Sequence, residues 1–97
     1  MAFESLEPEL AEHLNRICAA QMSGRIEPRM VYEPGKGLRG RLRVGERAGQ
    51  DELISDAIDR NDIRALATHD YVSLATPRSH WYLTATAKAL TEFTEQD

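Results

Sequence analysis

Residues 71–90, "YVSLATPRSHWYLTATAKAL", predict two short β-strands joined by a tight turn and followed by a helix. Apolar residues alternate with polar ones in both arms: Val72 and Leu74 share one face, and so do Trp81 and Leu83. The intervening "PRSH" places a proline at the first corner of a turn. We therefore expect a β-hairpin whose apolar face packs on helices.

The helix that closes this stretch also has a predicted start and an apolar side. Thr84 is a natural N-cap, and Ala87, Leu90 and Phe93 follow at helical spacing. The two strands and this helix should share one apolar layer, made of Val72, Leu74, Trp81, Leu83 and Leu90.

Upstream of the hairpin, the chain carries two helical patterns. In "DELISDAI", residues 51–58, the apolar residues recur at helical spacing, and "DRND" interrupts them. Asn61 or Asp62 can then begin a second short helix. Two helices joined by a short turn form a candidate helix-turn-helix.

"LATHDYVSL" (66–74) and "LTATAKAL" (83–90) resemble, in their spacing, the corresponding phrases of the winged helix-turn-helix family. The resemblance covers residues 50–93, with Ala87 and Asp70 standing where the family usually has glycine. It implies a recognition helix, a two-stranded wing with Arg78 at its tip, and a closing helix. The fold class expected is α+β: a winged helix-like domain with three to four helices, a short wing hairpin and an additional basic β-hairpin.

Residues 1–24 predict the N-terminal helix. Ser5 can cap it, Pro8 falls in its first turn, and Gly24 follows its end. His13 lies off the apolar stripe, so we expect it to face solvent. The stripe itself consists of Leu10, Leu14, Ile17, Cys18 and Met22.

Residues 25–47 predict the additional hairpin, because the β-type runs "RMVYE" and "RGRLRVG" flank the turn-forming "PGKGL". Residues 29–33 should pair antiparallel with 39–44. Alternation would then put Leu42 and Val44 inward and three arginines outward: Arg39, Arg41 and Arg43.

The bulk properties fit one domain spanning residues 1–97. The chain has 41% hydrophobic and 29% charged residues and a net charge of −4. Seven basic and three acidic residues fall between 25 and 47, whereas both flanks are acidic. Without an apolar run of about 20 residues or a secretory signal, we expect no membrane partner. One cysteine indicates a reducing, cytoplasmic setting.

No pattern points to catalysis or to a cofactor. "THD" (68–70) and "SH" (79–80) lack the spacing of a catalytic triad, because adjacent residues point in different directions. Three scattered histidines and one cysteine do not form a metal-ligand motif, and "PGKGLRG" is not a phosphate-binding loop. We therefore expect a protein that is not an enzyme, without metal or cofactor.

Two functions remain open. The first is a small DNA-binding transcription regulator that contacts double-stranded DNA, for which a homodimer joined through the first helix is one arrangement. Its contacts would come from Arg39, Arg41, Arg43, Arg60, Asn61, Arg64 and Arg78. The second is a protein-interaction module, an adaptor or a mobile-element inhibitor, that binds a protein partner. Basic side chains gathered on one face would favour DNA, and scattered ones would favour the protein partner.

Overall fold

The computed structural model describes residues 3–76 and 80–95 and shows an α+β domain, which confirms the expected class. The helices are α1 (Pro8–Met22), α2 (Arg60–Thr68) and α3 (Ala87–Glu95). The strands are β1 (Met30–Glu33), β2 (Gly37–Arg41), β3 (Asp51–Ser55), β4 (Val72–Ala75) and β5 (Trp81–Ala85). They form one sheet in the order β3-β2-β1-β5-β4, and every neighbouring pair is antiparallel.

One face of this sheet carries the core. In β1 and β5, burial alternates along the strand, so that Met30, Tyr32, Trp81 and Leu83 are buried while their neighbours are half-buried. The buried apolar residues of all three helices belong to the same cluster as these strand residues. The helices therefore cover one side of the sheet, and no helix in the described ranges covers the other.

The additional hairpin is confirmed, with different bounds. β1 pairs with β2 so that Val31 lies opposite Arg39, and strand β2 ends at Arg41. Leu42 is buried as expected, and it makes an isolated bridge to Ile26.

Val44 is 63% exposed, so its expected inward position is wrong. The chain leaves the sheet after Leu42 and turns through a loop in which Gly45 has a φ of +86°. A residue in this loop no longer follows the alternation of a strand.

The expected helix over residues 51–58 is wrong, because residues 51–55 form strand β3. Leu53 lies opposite Arg39 and Asp51 lies opposite Arg41 in the pairing with β2. A short apolar run suits either a helix or a strand, and here the free edge of β2 decides the outcome. The second predicted helix exists as α2, but a strand rather than a helix precedes it. The three described helices thus contain no helix-turn-helix pair.

The C-terminal hairpin is confirmed: β4 pairs with β5, and Leu74 lies opposite Leu83. The predicted turn at Pro77 lies outside the described residues. Helix α3 begins two residues later than expected, because Thr84 remains in β5. The N-cap is Thr86, whose Oγ1 accepts a hydrogen bond from the backbone N–H of Ala89 at 3.3 Å.

Most of the predicted apolar layer is present. Val72, Trp81 and Leu83 are buried, while Leu74 and Leu90 pack against the cluster and stay partly exposed.

Helix α1 also departs from expectation at its start. Its N-cap is Glu7 and makes no side-chain capping bond, so the assignment of Ser5 is wrong, while Pro8 occupies the first helical position. Gly24, just beyond the C-cap, has a φ of +73° and ends the helix as predicted. Three members of the stripe are fully buried: Leu14, Ile17 and Cys18. An α1 dimer interface through the stripe would need these core side chains, so the structure does not support it.

We expect Trp81→Ala to lower the free energy of unfolding by about 3–5 kcal/mol, because it empties a large buried volume. Urea unfolding followed by circular dichroism measures the change. Tyr82→Ala is the matched control, since Tyr82 is the next residue in β5 and faces outward, half-buried. Equal losses for the two variants would contradict the inward position of Trp81.

Gly37→Ala should be clearly more destabilising than Gly35→Ala. Both glycines have positive φ, +78° and +81°, which costs a residue with a side chain about 1 kcal/mol or more. A Cβ at Gly37 would additionally lie 2.5 Å from the carbonyl oxygen of Ser55, whereas a Cβ at Gly35 meets open space. Thermal unfolding of both variants compares them, and equal melting temperatures would argue against the close approach of β3 to this turn.

Candidate functional site

The uncovered side of the sheet, here called the open sheet face, presents one outward row that crosses all five strands. Paired residues in an antiparallel sheet share a face, so the row can be followed from strand to strand. From β3 to β4 it consists of Leu53, Arg39, Val31, Tyr82 and Ala75. It combines basic, aromatic and aliphatic side chains.

A shallow hollow on the open sheet face gathers three arginines, Arg29, Arg39 and Arg41; we call it the basic hollow. The remaining lining residues are Glu27, Val31, Asp51 and Tyr82. The guanidinium carbon of Arg29 lies 4.5 Å from the centre of the Tyr82 ring, which is the distance of a cation–π contact. The ring of Tyr82 thus restrains the guanidinium group of Arg29, one of the three arginines.

None of the three arginines forms an ion pair with a carboxylate in the described ranges. Other cations of the same region do: Arg25 pairs with Glu52, and the Nζ of Lys36 lies 3.4 Å from Glu33. A guanidinium without an internal partner keeps its five donors for water or for an external anion. The acidic Glu27 and Asp51 in the lining lower the net positive potential of the hollow.

The sequence predicted part of this site and missed part of it. Arg39 and Arg41 were expected to point outward together, and they do. Arg29 and Tyr82 are not among the predicted contact residues, although each stands one residue away from an inward apolar residue, Met30 and Leu83 respectively. That alternation is the signal that could have placed both on the outer face.

The predicted residues of α2 lie on the opposite side of the sheet. Arg60, Asn61 and Arg64 are exposed, and the guanidinium carbons of both arginines lie 5.2 Å from the centre of the Trp81 ring. Trp81 faces the helices, whereas Arg39 faces away from them. The structure therefore does not bring the two predicted groups together.

Two predicted residues remain, and Arg43 is not among the lining residues of the basic hollow. Arg43 is exposed in the loop that follows β2. Arg78 lies outside the described residues.

Acidic side chains occupy the start of α2. The backbone N–H of Asp62 donates to Asp59 Oδ1 at 2.9 Å, and the backbone N–H of Asp59 donates to Asp62 Oδ2 at 3.1 Å. This reciprocal pair is a capping box, and it stabilises the helix end. It also places two carboxylates beside the arginine-bearing surface of α2.

His13 is buried, contrary to the expectation that it faces solvent. Its Nδ1 lies 3.3 Å from Ser55 Oγ, and its Nε2 lies 3.7 Å from Asp62 Oδ2. Because residues 51–55 form a strand, Ser55 lies against the side of α1 that carries His13. The apolar stripe alone does not predict that this side of the helix is buried. These residue types resemble a catalytic triad, but Ser55 is only 2% exposed, so its hydroxyl cannot reach a substrate. The contact joins α1, β3 and α2.

Cys18 has no features of a nucleophile. It lies in the core, and burial raises the pKa of its thiol from 9.0 to about 12. The thiolate, which is the reactive form, is therefore scarce at neutral pH.

Two features are absent from the described ranges. Within them, no three histidine, cysteine or acidic side chains are grouped so that they could hold a metal ion. None of the described helices is both long and apolar enough to cross a bilayer.

The chain matches no protein-family model, no curated protein and no solved structure. The geometry of its surfaces is therefore the basis for a functional proposal.

We expect the thiol of Cys18 to stay unmodified when the folded protein is treated with Ellman's reagent at pH 8. Burial and the raised pKa of the thiol both oppose the reaction. The same treatment in denaturant should modify the thiol completely. Rapid modification of the folded protein would show that Cys18 is accessible.

Proposed function

We propose that this protein is a small, non-enzymatic DNA-binding module that contacts the phosphates of double-stranded DNA with the basic hollow. The observation that carries the proposal is the set of three exposed or half-buried arginines, Arg29, Arg39 and Arg41, without internal carboxylate partners in the described ranges. Guanidinium groups bind phosphate oxygens through paired, charge-assisted hydrogen bonds.

The surroundings of the arginines support this role. No described helix covers them, and antiparallel sheets are among the elements that proteins use to contact DNA. Arg29 is already restrained by its contact with the Tyr82 ring, so its side chain loses less conformational entropy on binding. Glu27 and Asp51 work in the other direction, since each repels phosphate. Because the contacts would be with phosphates, we expect the affinity for DNA to fall steeply as the salt concentration rises.

The winged-helix resemblance supports a second way of binding DNA. The order α2, β4, β5, α3 follows the order of a recognition helix, a wing and a closing helix. Asp70 has a φ of +62°, a conformation that glycine adopts easily, and it stands where that family usually has glycine. In this mode Arg60, Asn61 and Arg64 would face the DNA. Because the two groups lie on opposite sides of the sheet, variants can tell the modes apart.

The protein-interaction module is the second candidate, and the open sheet face supplies its support. Leu53 is 54% exposed and shares a row with Val31 and Tyr82. Tyrosine, arginine and aliphatic side chains together are typical of protein interfaces. Under this alternative the arginines of the basic hollow would bind the carboxylates of a folded partner.

The test is a DNA-binding titration of the full chain with a fluorescent random duplex, from low to physiological salt. We compare the double variants R39Q/R41Q and R60Q/R64Q, which remove the same charge from opposite sides of the sheet. Each phosphate contact contributes about 0.9 to the slope of log affinity against log salt. R39Q/R41Q should reduce the slope by about 2 and weaken binding to all sequences alike.

R60Q/R64Q should leave the slope nearly unchanged if the basic hollow is the contact surface. The reverse pattern would assign DNA binding to α2 and the winged-helix mode. No binding by the wild type at about 50 mM salt, where non-specific attraction is strong, would exclude DNA and leave the protein partner. Circular dichroism confirms that both variants fold.

A further inference from the structure

The two edges of the sheet differ in how they are protected. Edge strand β3 carries Asp51 and Glu52, and its pairing with β2 contains a register shift. Both features discourage another strand from adding to an edge. The stretch around edge strand β4, residues 71–76, reads "YVSLAT" and has no charged residue. In this respect β4 is the unprotected edge.

The hydrogen bonds of the neighbouring residues show which main-chain groups of β4 face outward. The N–H of Thr86 donates to the carbonyl oxygen of Tyr71 at 3.0 Å, so the carbonyl of Tyr71 points toward β5, while its N–H donates to the carbonyl oxygen of Leu66. Direction alternates along an antiparallel strand, so Ser73 and Ala75 also face β5. Val72 and Leu74 therefore direct their N–H and C=O groups toward the free edge.

We propose that β4 pairs with β4 of a second copy of this chain, antiparallel and across a two-fold axis. Val72 of each copy would then exchange hydrogen bonds with Leu74 of the other. Ser73 would stand on the axis, directly opposite Ser73 of the second copy. This proposal is independent of DNA binding.

The chemistry of β4 favours a second copy as the occupant. In a two-fold pairing the same short strand lies on both sides of the contact, so like charges on this strand would face each other and repel. The outward side chains of β4, Ser73 and Ala75, are small, neutral and exposed, so they neither repel a second copy of the strand nor block its approach. The contact would involve only the four residues of β4 in each copy, so it would bury far less surface than the roughly 1,200 Å² of a stable interface. The dimer should therefore be weak.

Cysteine cross-linking tests the proposal and its register. In the pairing above, Ser73 lies at a non-hydrogen-bonded position, where the facing Cα atoms are about 4.5 Å apart. That distance falls within the range of a disulfide. Ser73→Cys should therefore form a covalent dimer under mild oxidation, read on a non-reducing gel. The native Cys18 is buried and does not compete.

Ala75→Cys is the matched control, because it is also exposed on β4 but would lie opposite Tyr71 of the second copy. It should form far less covalent dimer than Ser73→Cys. Equal cross-linking of the two variants would overturn the proposed register, because it would reflect random collision.

Light scattering without DNA provides the second measurement. The wild type should show a rising average mass up to about 1 mM, which detects a Kd in the millimolar range or tighter. Ser73→Lys should remain a monomer, because two lysines would face each other across the axis. A wild type that stays monomeric throughout would overturn the proposal, whatever the result of the DNA titration.

Discussion

The pairing of β1 with β5 is the interaction on which the rest of the structure depends. It places Met30 opposite Leu83 and so joins the N-terminal strands to the C-terminal hairpin. Without it, the chain would contain a three-stranded sheet and a separate two-stranded hairpin, and an isolated hairpin is only marginally stable in water. With it, five strands form one surface against which three helices pack. The contact closes a long loop of chain, and the shared core must compensate for the lost entropy.

Local patterns predicted the elements whose strand or helix signal was strong. Alternation placed Val72, Trp81 and Leu83 inward, and it placed Arg39 and Arg41 outward. The same logic failed at residues 51–55, because "DELIS" suits both a helix and a strand and its pairing partner lies elsewhere in the chain. His13 shows the same dependence on distant parts of the chain. It is buried because the strand at Ser55 packs against it, and no pattern around the histidine reveals that strand.

The candidate site was less predictable than the fold, for a related reason. The residues of the basic hollow come from five places in the chain: before β1, within β1, within β2, at the start of β3 and in β5. Only the order of the strands brings Arg29 and Tyr82 together with Arg39. Strand order also separates Arg60 and Arg64 from the other arginines, although all lie in one short chain. A sum of charges over the sequence, −4, describes neither surface.

Inward and outward residues alternate along the strands of the sheet, and the two sets have different roles. Along β1 and β5, each inward side chain belongs to the core, and each neighbour belongs to the open sheet face. The outward positions can therefore accept many side chains without altering the interior. Val31, Arg39, Leu53 and Ala75 offer a nearly continuous set of such positions. A library that randomises them should retain folded members while its binding preferences diverge, which makes this small domain a scaffold for selecting new binders.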